Sequence, residues 1–285
     1  MRKNQSSLSA AGIAIARVVE SEKSTDERLI YDPYARQLVP VWMVHIMGFF
    51  IRSGYAELRG PGVNGYLMAR ERYIDDVLQD FLKAGLQQLV ILGAGYDSRA
   101  HRFDFPQQMK IFEVDHPATQ TEKLEKVQKI FGKFPANIRY VPVDFNTQTL
   151  SECLLSAGYD PDLVTLLIWQ GVTMYLTAEA VDSTLAFVLQ NSAPGSAIVF
   201  DYLYRALLDG VQKQSEVSNM RRYRLMTGEG LTFGIPEGTV ESFLEARGFR
   251  QVFDVGVDDL KAAYFTGKNA SRKIVGGYGI VVGKV

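Results

Sequence analysis

Apolar positions along the chain change period near residue 66. Residues 8–60 carry apolar side chains at helical spacing with no strand-like run, and predict a helical N-terminal region. From Tyr66 onward, helices alternate with short apolar runs. A helix over 66–83 has Leu67, Ile74, Val77, Leu78 and Phe81 on one face and stops at Gly85. Strands are expected at 88–92, 110–114, 138–143, 163–169 and 197–200, ending at Gly93, Asp115, Asp144, Gln170 and Asp201. A helical stretch near 98–103 follows the first. Pro117 opens a helix bearing Leu124, Val127 and Phe131, and Thr177 is placed to cap one bearing Val181, Leu185 and Leu189. Residues 202–235 break the alternation and read as an inserted, lid-like helical segment. A helix at 237–247 and closing strands near 249–255 and 276–284 complete the chain.

Strands that are apolar on both faces and separated by helices indicate a parallel sheet covered on both sides. The expected fold is therefore α/β: one Rossmann-like, doubly wound domain over residues 1–285. It has a mostly parallel seven-stranded sheet, an N-terminal helical cap over 1–60 and a helical insertion before the last strands. No clear helix of ten or more residues separates the last two strands, which allows an antiparallel strand at a mixed edge.

Composition narrows the class. The 285 residues are 47% hydrophobic and 22% charged, ordinary for a globular chain with a large core. A net charge of -1 gives no reason to expect nucleic acid or an anionic membrane as partner. A single cysteine, Cys153, excludes an intrachain disulfide or a thiolate cage. The histidines at 45, 101 and 116 lack metal-ligand spacing, so no metal is expected. The N-terminal stretch is a poor secretory h-region, and the most apolar run, 41–51, is about half of the ~20 residues needed to span a bilayer. No span and a cytoplasmic location are expected; an oligomer is possible but not readable from the sequence.

In open α/β sheets, ligands bind beyond the carboxyl ends of the strands, so the residues ending each strand matter most. Gly93-Ala94-Gly95 allows a sharp turn and close approach of a ligand to the backbone, or is simply a tight turn. Asp115 ends the second strand about 20 residues further on, where a carboxylate accepts the hydroxyls of an adenosine ribose. Together they point to a nucleoside, with NAD and S-adenosylmethionine both open. A dinucleotide loop needs a third glycine and room for a pyrophosphate. Here Ser98 takes the place of that glycine, and Asp97 adds a carboxylate that repels phosphate but suits a cationic ligand. S-adenosylmethionine, with a sulfonium, an ammonium and no phosphate, fits better. Its carboxylate calls for an arginine fork. Arg70 falls on the apolar face of the 66–83 helix, where it either meets such a ligand or forms an internal salt bridge; Arg72, Asp75, Asp76 and Gln79 fall on the polar face.

With these residues assembled, the chain resembles the leucine carboxyl methyltransferase group of class I S-adenosylmethionine-dependent methyltransferases, particularly bacterial O-methyltransferases of polyketide type. The resemblance runs from Ala14-Ile-Ala-Arg17 and Tyr31-Asp-Pro-Tyr-Ala-Arg36 through Ala69-Arg-Glu-Arg-Tyr-Ile-Asp75, Leu92-Gly-Ala-Gly-Tyr-Asp-Ser-Arg99 and Glu113-Val-Asp-His-Pro117. It continues in Val141-Pro-Val-Asp-Phe145 and Gln170-Gly-Val-Thr-Met-Tyr-Leu176. It implies that Arg70 holds the methionine carboxylate, Gly93 to Gly95 pass under the methionyl part, Asp115 takes the ribose, and Asp144 and Phe145 meet the adenine. The family usually has glutamate where this chain has Gln170, which keeps an acceptor oxygen but loses the charge. The cofactor-binding set so implied is Arg70, Gly93, Ala94, Gly95, Asp97, Asp115, Asp144, Phe145 and Gln170.

Methyl transfer from a sulfonium is an in-line displacement in which positioning contributes much of the acceleration. A small-molecule acceptor is expected, methylated on a carboxylate or a hydroxyl. A carboxylate near pKa ~4 needs no base, whereas a phenol near ~10 does. His45, Tyr175, Asp201 and Tyr202 are the candidates for catalysis or for lining the acceptor pocket, each with packing as the plainer reading; for His45 that is a core histidine. Trp42, Phe49 and Phe50 from the cap, with Tyr204, Tyr223 and Phe233, are expected to cover an apolar acceptor site. Arg221, Arg222 and Arg224 read as a solvated face or as an anchor for an anionic substrate. The alternatives are an NAD-dependent oxidoreductase and a non-catalytic S-adenosylmethionine-binding protein.

Overall fold

A computed structural model describes residues 8–144, 147–211 and 230–285. The cap consists of α1 (Leu8–Ser21), α2 (Ala35–Leu38), α3 (Val41–Arg52) and α4 (Tyr55–Arg59), leading into α5 (Val63–Lys83). Next come β1 (Gln88–Leu92), α6 (Arg99–Arg102), β2 (Lys110–Asp115), α7 (Pro117–Phe131), β3 (Ile138–Pro142), α8 (Leu150–Ser156) and β4 (Thr165–Trp169). A 3-10 turn at Thr173–Tyr175 precedes α9 (Ala178–Gln190), β5 (Ala197–Leu203) and α10 (Arg205–Leu208). The described chain ends with α11 (Val240–Glu245), β6 (Gln251–Val255), α12 (Val257–Tyr264) and β7 (Tyr278–Lys284).

The seven strands form one sheet in the order β3-β2-β1-β4-β5-β7-β6. All pairings are parallel except those of β7, which runs antiparallel to both β5 and β6. The expected antiparallel strand is therefore present but not at the edge. The five central residues of β7 are buried, whereas β6 is partly exposed and forms the edge. Pairing with β7 also extends β5 through Asp201 to Leu203, beyond the end expected at residue 200.

Side chains of β1, β2, β4 and β5 alternate between two cores. Leu89, Ile91, Ile111, Leu166, Ile168 and Val199 pack with Met68, Ala69, Ile74 and Leu78 of α5. On the other face Val90, Phe112, Leu167, Ile198 and Phe200 pack with Leu154, Val181, Leu185 and Leu244. The order in which strands are added reverses between β1 and β4, which makes their carboxyl ends the switch point where such sheets bind ligands.

Several local readings hold. Thr177 caps α9 by accepting from the Ala180 amide, and Pro117 occupies the first turn of α7. Others need correction. Asp75, assigned to the polar face of α5, is buried because Arg99 Nε and Arg102 Nη2 donate to it at 2.7 and 2.6 Å. Trp42, Phe49 and Phe50 are 63%, 65% and 43% exposed, so they cover nothing among the described residues. The face that α3 buries carries Met43, Val44 and Gly48, packed with α1. His45 is exposed on α3 and is not a core histidine. Tyr204 and Phe233 lie in the core on the face opposite α5. Phe145, Arg221, Arg222, Tyr223 and Arg224 lie outside the described residues. No helix among those described is long and apolar enough to cross a membrane.

Candidate functional site

Buried side chains of α5 reach the tips of β4 and β5, beside those of β1 and β2. At the tip of β1, Gly93 and Gly95 have φ of 66° and 43°, in the left-handed region that favours glycine. A Cβ on Gly93 would collide with the Val172 side chain, so this turn and the one after β4 come within contact only because glycine is there. Ala94 is buried, and its amide donates to the Val114 carbonyl at 3.0 Å. The Gly95 amide donates to Asp115 Oδ2, and the His116 amide donates to Asp115 Oδ1 at 2.6 Å. Burial raises the Asp115 pKa, opposed by these two amides. The carboxylate is thus aimed at the glycine turn with one donor on each oxygen. Asp144 sits one step along, where β3 ends; its carbonyl accepts from the Thr147 and Gln148 amides at 2.9 Å.

Arg70 reaches from α5 to the end of β5. Its Nη1 donates to Asp201 Oδ2 at 2.5 Å, and Asp201 Oδ1 accepts from the Gly171 amide at 2.6 Å. Side chains of both members are almost fully buried, at 3% and 0% exposure. Burial alone would lower the arginine's pKa, but Asp201, then Tyr66 and Glu71, outweigh it and hold the guanidinium charged. The salt-bridge reading of Arg70 therefore holds. The residue has an internal salt bridge, yet its Nε and Nη2 are buried without a hydrogen-bond partner. Unmade donors on a buried charge are costly, and a ligand acceptor is the natural remedy. Gly171, at φ of 69°, lies beside them: a Cβ there would sit 3.6 Å from Nη1 and 3.9 Å from Nη2.

Gln170 Nε2 donates to Glu71 Oε1 at 2.7 Å, and its Oε1 is buried with no partner. Glu71 also accepts from Arg99 Nη2 at 2.8 Å and Arg17 Nη1 at 3.4 Å. Burial opposes its ionisation, but Arg99 and then Arg17 hold its pKa down to about 2. Asp97 bridges to Arg99 Nη1 at 2.5 Å and accepts from the Arg99 amide at 2.7 Å. Its charge is thereby engaged by Arg99 and not held in reserve. Arg17 donates to Asp32 at 2.9 Å and to the Tyr96 carbonyl, and Ser98 Oγ donates to Asp32 at 2.7 Å. The cap is thus fastened onto the glycine turn by buried, directed hydrogen bonds.

Sequence reasoning missed this network of Arg17, Asp32, Glu71, Asp75, Arg99 and Arg102. Arg17, Glu71 and Arg99 stand within the quoted motifs, but nothing in a linear sequence indicates that charges 54 and 28 residues apart share a carboxylate. The structure also separates residues that were grouped. Tyr202 alternates to the face opposite Asp201 and donates to Asp254 at 2.8 Å, and burial followed by Asp254 raises its pKa. Tyr175 is half-buried in the 3-10 turn, and His45 is on the exposed face of α3.

Known proteins resemble this chain. A Bacillus subtilis protein named as an S-adenosyl-L-methionine-dependent methyltransferase is 29% identical over 289 residues, covering 94% of each chain. One from Saccharopolyspora erythraea, named likewise, is 32% identical over 196 residues, covering 68% of this chain and 66% of that one. A Thermobifida fusca crystal structure described as a methyltransferase superposes with a TM-score of 0.59 at 15% identity, over 99% of this chain and 96% of the other. At that identity it shows the fold alone. Fold and relatives together define an S-adenosylmethionine-dependent methyltransferase. The leucine carboxyl methyltransferase model matches residues 10–189, and the chain belongs to that family.

Proposed function

We propose that this enzyme is an O-methyltransferase whose acceptor is a small, cyclic or polyketide-like molecule, methylated on a carboxylate or hydroxyl, and that its cofactor lies across the tips of β1, β2 and β4. The observation that carries the placement is the pair of unpartnered donors on buried Arg70, a fork shaped for a carboxylate. Gln170 Oε1 offers an acceptor for an ammonium, and the glycine turns leave backbone room between β1 and β4. Asp115 keeps a spare lone pair on each oxygen for the ribose hydroxyls. Asp144 follows β3 next to Asp115 and is the residue for the adenine side. Gly93, Ala94 and Gly95 form the floor, and Asp97 acts by fixing Arg99 beneath it.

When bound, S-adenosylmethionine supplies an activated methyl group on a sulfonium. The chain's residues orient that group and hold the charges around it. Of the four candidates, Asp201 is engaged by Arg70 and Gly171, Tyr202 lies on the opposite face, Tyr175 is half-buried in the 3-10 turn, and His45 is exposed. This supports an acceptor that arrives ionised, a carboxylic acid before a phenol.

The test uses methyl-labelled S-adenosylmethionine with a panel of cyclic carboxylic acids and phenols. A methyl ester releases its label as methanol in alkali, whereas an aryl ether does not. Alkali-labile product is expected; with cyclic amines and carbon nucleophiles added to the panel, product on those acceptors alone would remove the O-methyl reading.

A further inference from the structure

We propose that Glu71 and Gln170 act as a single-charge pair, in which Gln170 presents its amide oxygen to the ammonium of the cofactor while Glu71 supplies the negative charge behind it. The proposal rests on the cofactor placement given above. Glu71 is a positioning residue here, since it acts through Gln170.

Chemistry forces the orientation of Gln170. Glu71 is ionised and offers only lone pairs, so the amide must turn its nitrogen toward it. That hydrogen bond is 2.7 Å, and the oxygen is left pointing away, buried and without a donor. A buried carbonyl oxygen without a donor is costly unless a ligand fills the role. Gln170 is followed directly by Gly171, beside the two unpartnered nitrogens of Arg70. Donors for a carboxylate and an acceptor for an ammonium thus stand at one place, the two ends of an amino-acid group.

The surrounding charge agrees. Arg17, Arg99 and Arg102 are interlaced with Asp32, Glu71, Asp75 and Asp97, so the interlinked cluster holds four carboxylates against three guanidinium groups. Arg70 is matched by Asp201. The surplus negative charge favours a ligand that is cationic at this end. A hydrogen bond to an ionised acid also polarises the amide and strengthens its oxygen as an acceptor.

One charge is the correct number. A second acid at 170 would place two carboxylates in hydrogen-bond contact with no donor between them, and one would have to keep its proton. An amide at 71 would leave no acid in the pair.

Calorimetry with S-adenosylmethionine between pH 6 and pH 9 on four proteins tests this: wild type, Gln170→Glu, Glu71→Gln, and the double variant with both changes. Each single variant is expected to bind about tenfold or more weakly at pH 8. The Gln170→Glu loss shrinks toward pH 6, as the added acid takes up a proton. The double variant restores one acid and one amide, and is expected within about threefold of wild type. Gln170→Met leaves Glu71 on its arginines; it also loses about tenfold, with no dependence on pH, and covers the case of a Glu71 variant that does not fold. Wild-type affinity in Gln170→Glu across the pH range, or a double variant no better than its worse parent, overturns the pair. Absence of binding by wild type overturns the cofactor placement itself.

Discussion

Replacing Asp201 by asparagine separates two roles that the residue could have. In the structure Asp201 is a scaffold: Oδ2 takes Arg70 Nη1 at 2.5 Å, Oδ1 takes the Gly171 amide at 2.6 Å, and its carbonyl takes Thr173 Oγ1 at 2.6 Å. Asparagine keeps one acceptor and turns an NH2 group toward a donor that was satisfied. With both side chains buried, removing the acid leaves the Arg70 guanidinium uncompensated, which costs about 3–5 kcal/mol. Urea denaturation of the variant without ligand should show a loss of that size. Saturating S-adenosylmethionine should stabilise either protein, by ~2.7 kcal/mol at about 100 times its own Kd, without closing the gap, because Arg70 released from Asp201 holds the ligand less well. Initial rates should show weakened cofactor KM together with reduced kcat. A loss under about 1 kcal/mol, with unchanged cofactor affinity and kcat down about a thousandfold, refutes this reasoning and makes Asp201 a base acting on the acceptor.

Other outcomes follow from the same geometry. Arg70→Ala and Asp115→Ala should each weaken S-adenosylmethionine binding by about 1–3 kcal/mol in calorimetry, as charged hydrogen bonds are lost. Lys123 Nζ lies 2.7 Å from Glu113 Oε2 with both side chains buried, and burial lifts the Glu113 pKa to about 7. Lys123→Met should therefore cost about 3–5 kcal/mol in urea, and adding Glu113→Leu should recover most of it. Tyr202→Phe removes the Asp254 hydrogen bond on the far face, so it should cost about 1 kcal/mol of stability and leave kcat/KM unchanged. Glu71, with a native pKa of about 2 below an unfolded value near ~4.3, contributes stability that is complete above the unfolded value. That contribution fades as pH falls toward 2, so Glu71→Gln should flatten the acid limb of a pH–stability curve.

The sheet was legible because its strands are short, apolar on both faces and punctuated by Gly93, Asp115, Gln170 and the acid in β5. The same signal misjudged the order at the closing edge: burial separates central β7 from peripheral β6, and only pairing reveals it. Arg70 was legible as a charge on an apolar face. Its partner Asp201 was not, being 131 residues away. Asp75 was misread because helical periodicity assumes that an acid faces water, whereas Arg99 and Arg102 compensate it inside. The cap failed in the opposite sense. Apolar side chains on both faces of α3 gave no indication of which face would pack on α1 and which would remain exposed.

A crystal structure with S-adenosylhomocysteine tests the central claim most directly. Its carboxylate should lie on Arg70 Nε and Nη2, its ammonium at Gln170 Oε1, and its ribose hydroxyls on Asp115. Density for the nucleoside away from the tips of β1 and β2, with the Arg70 donors still unmade, would contradict the account.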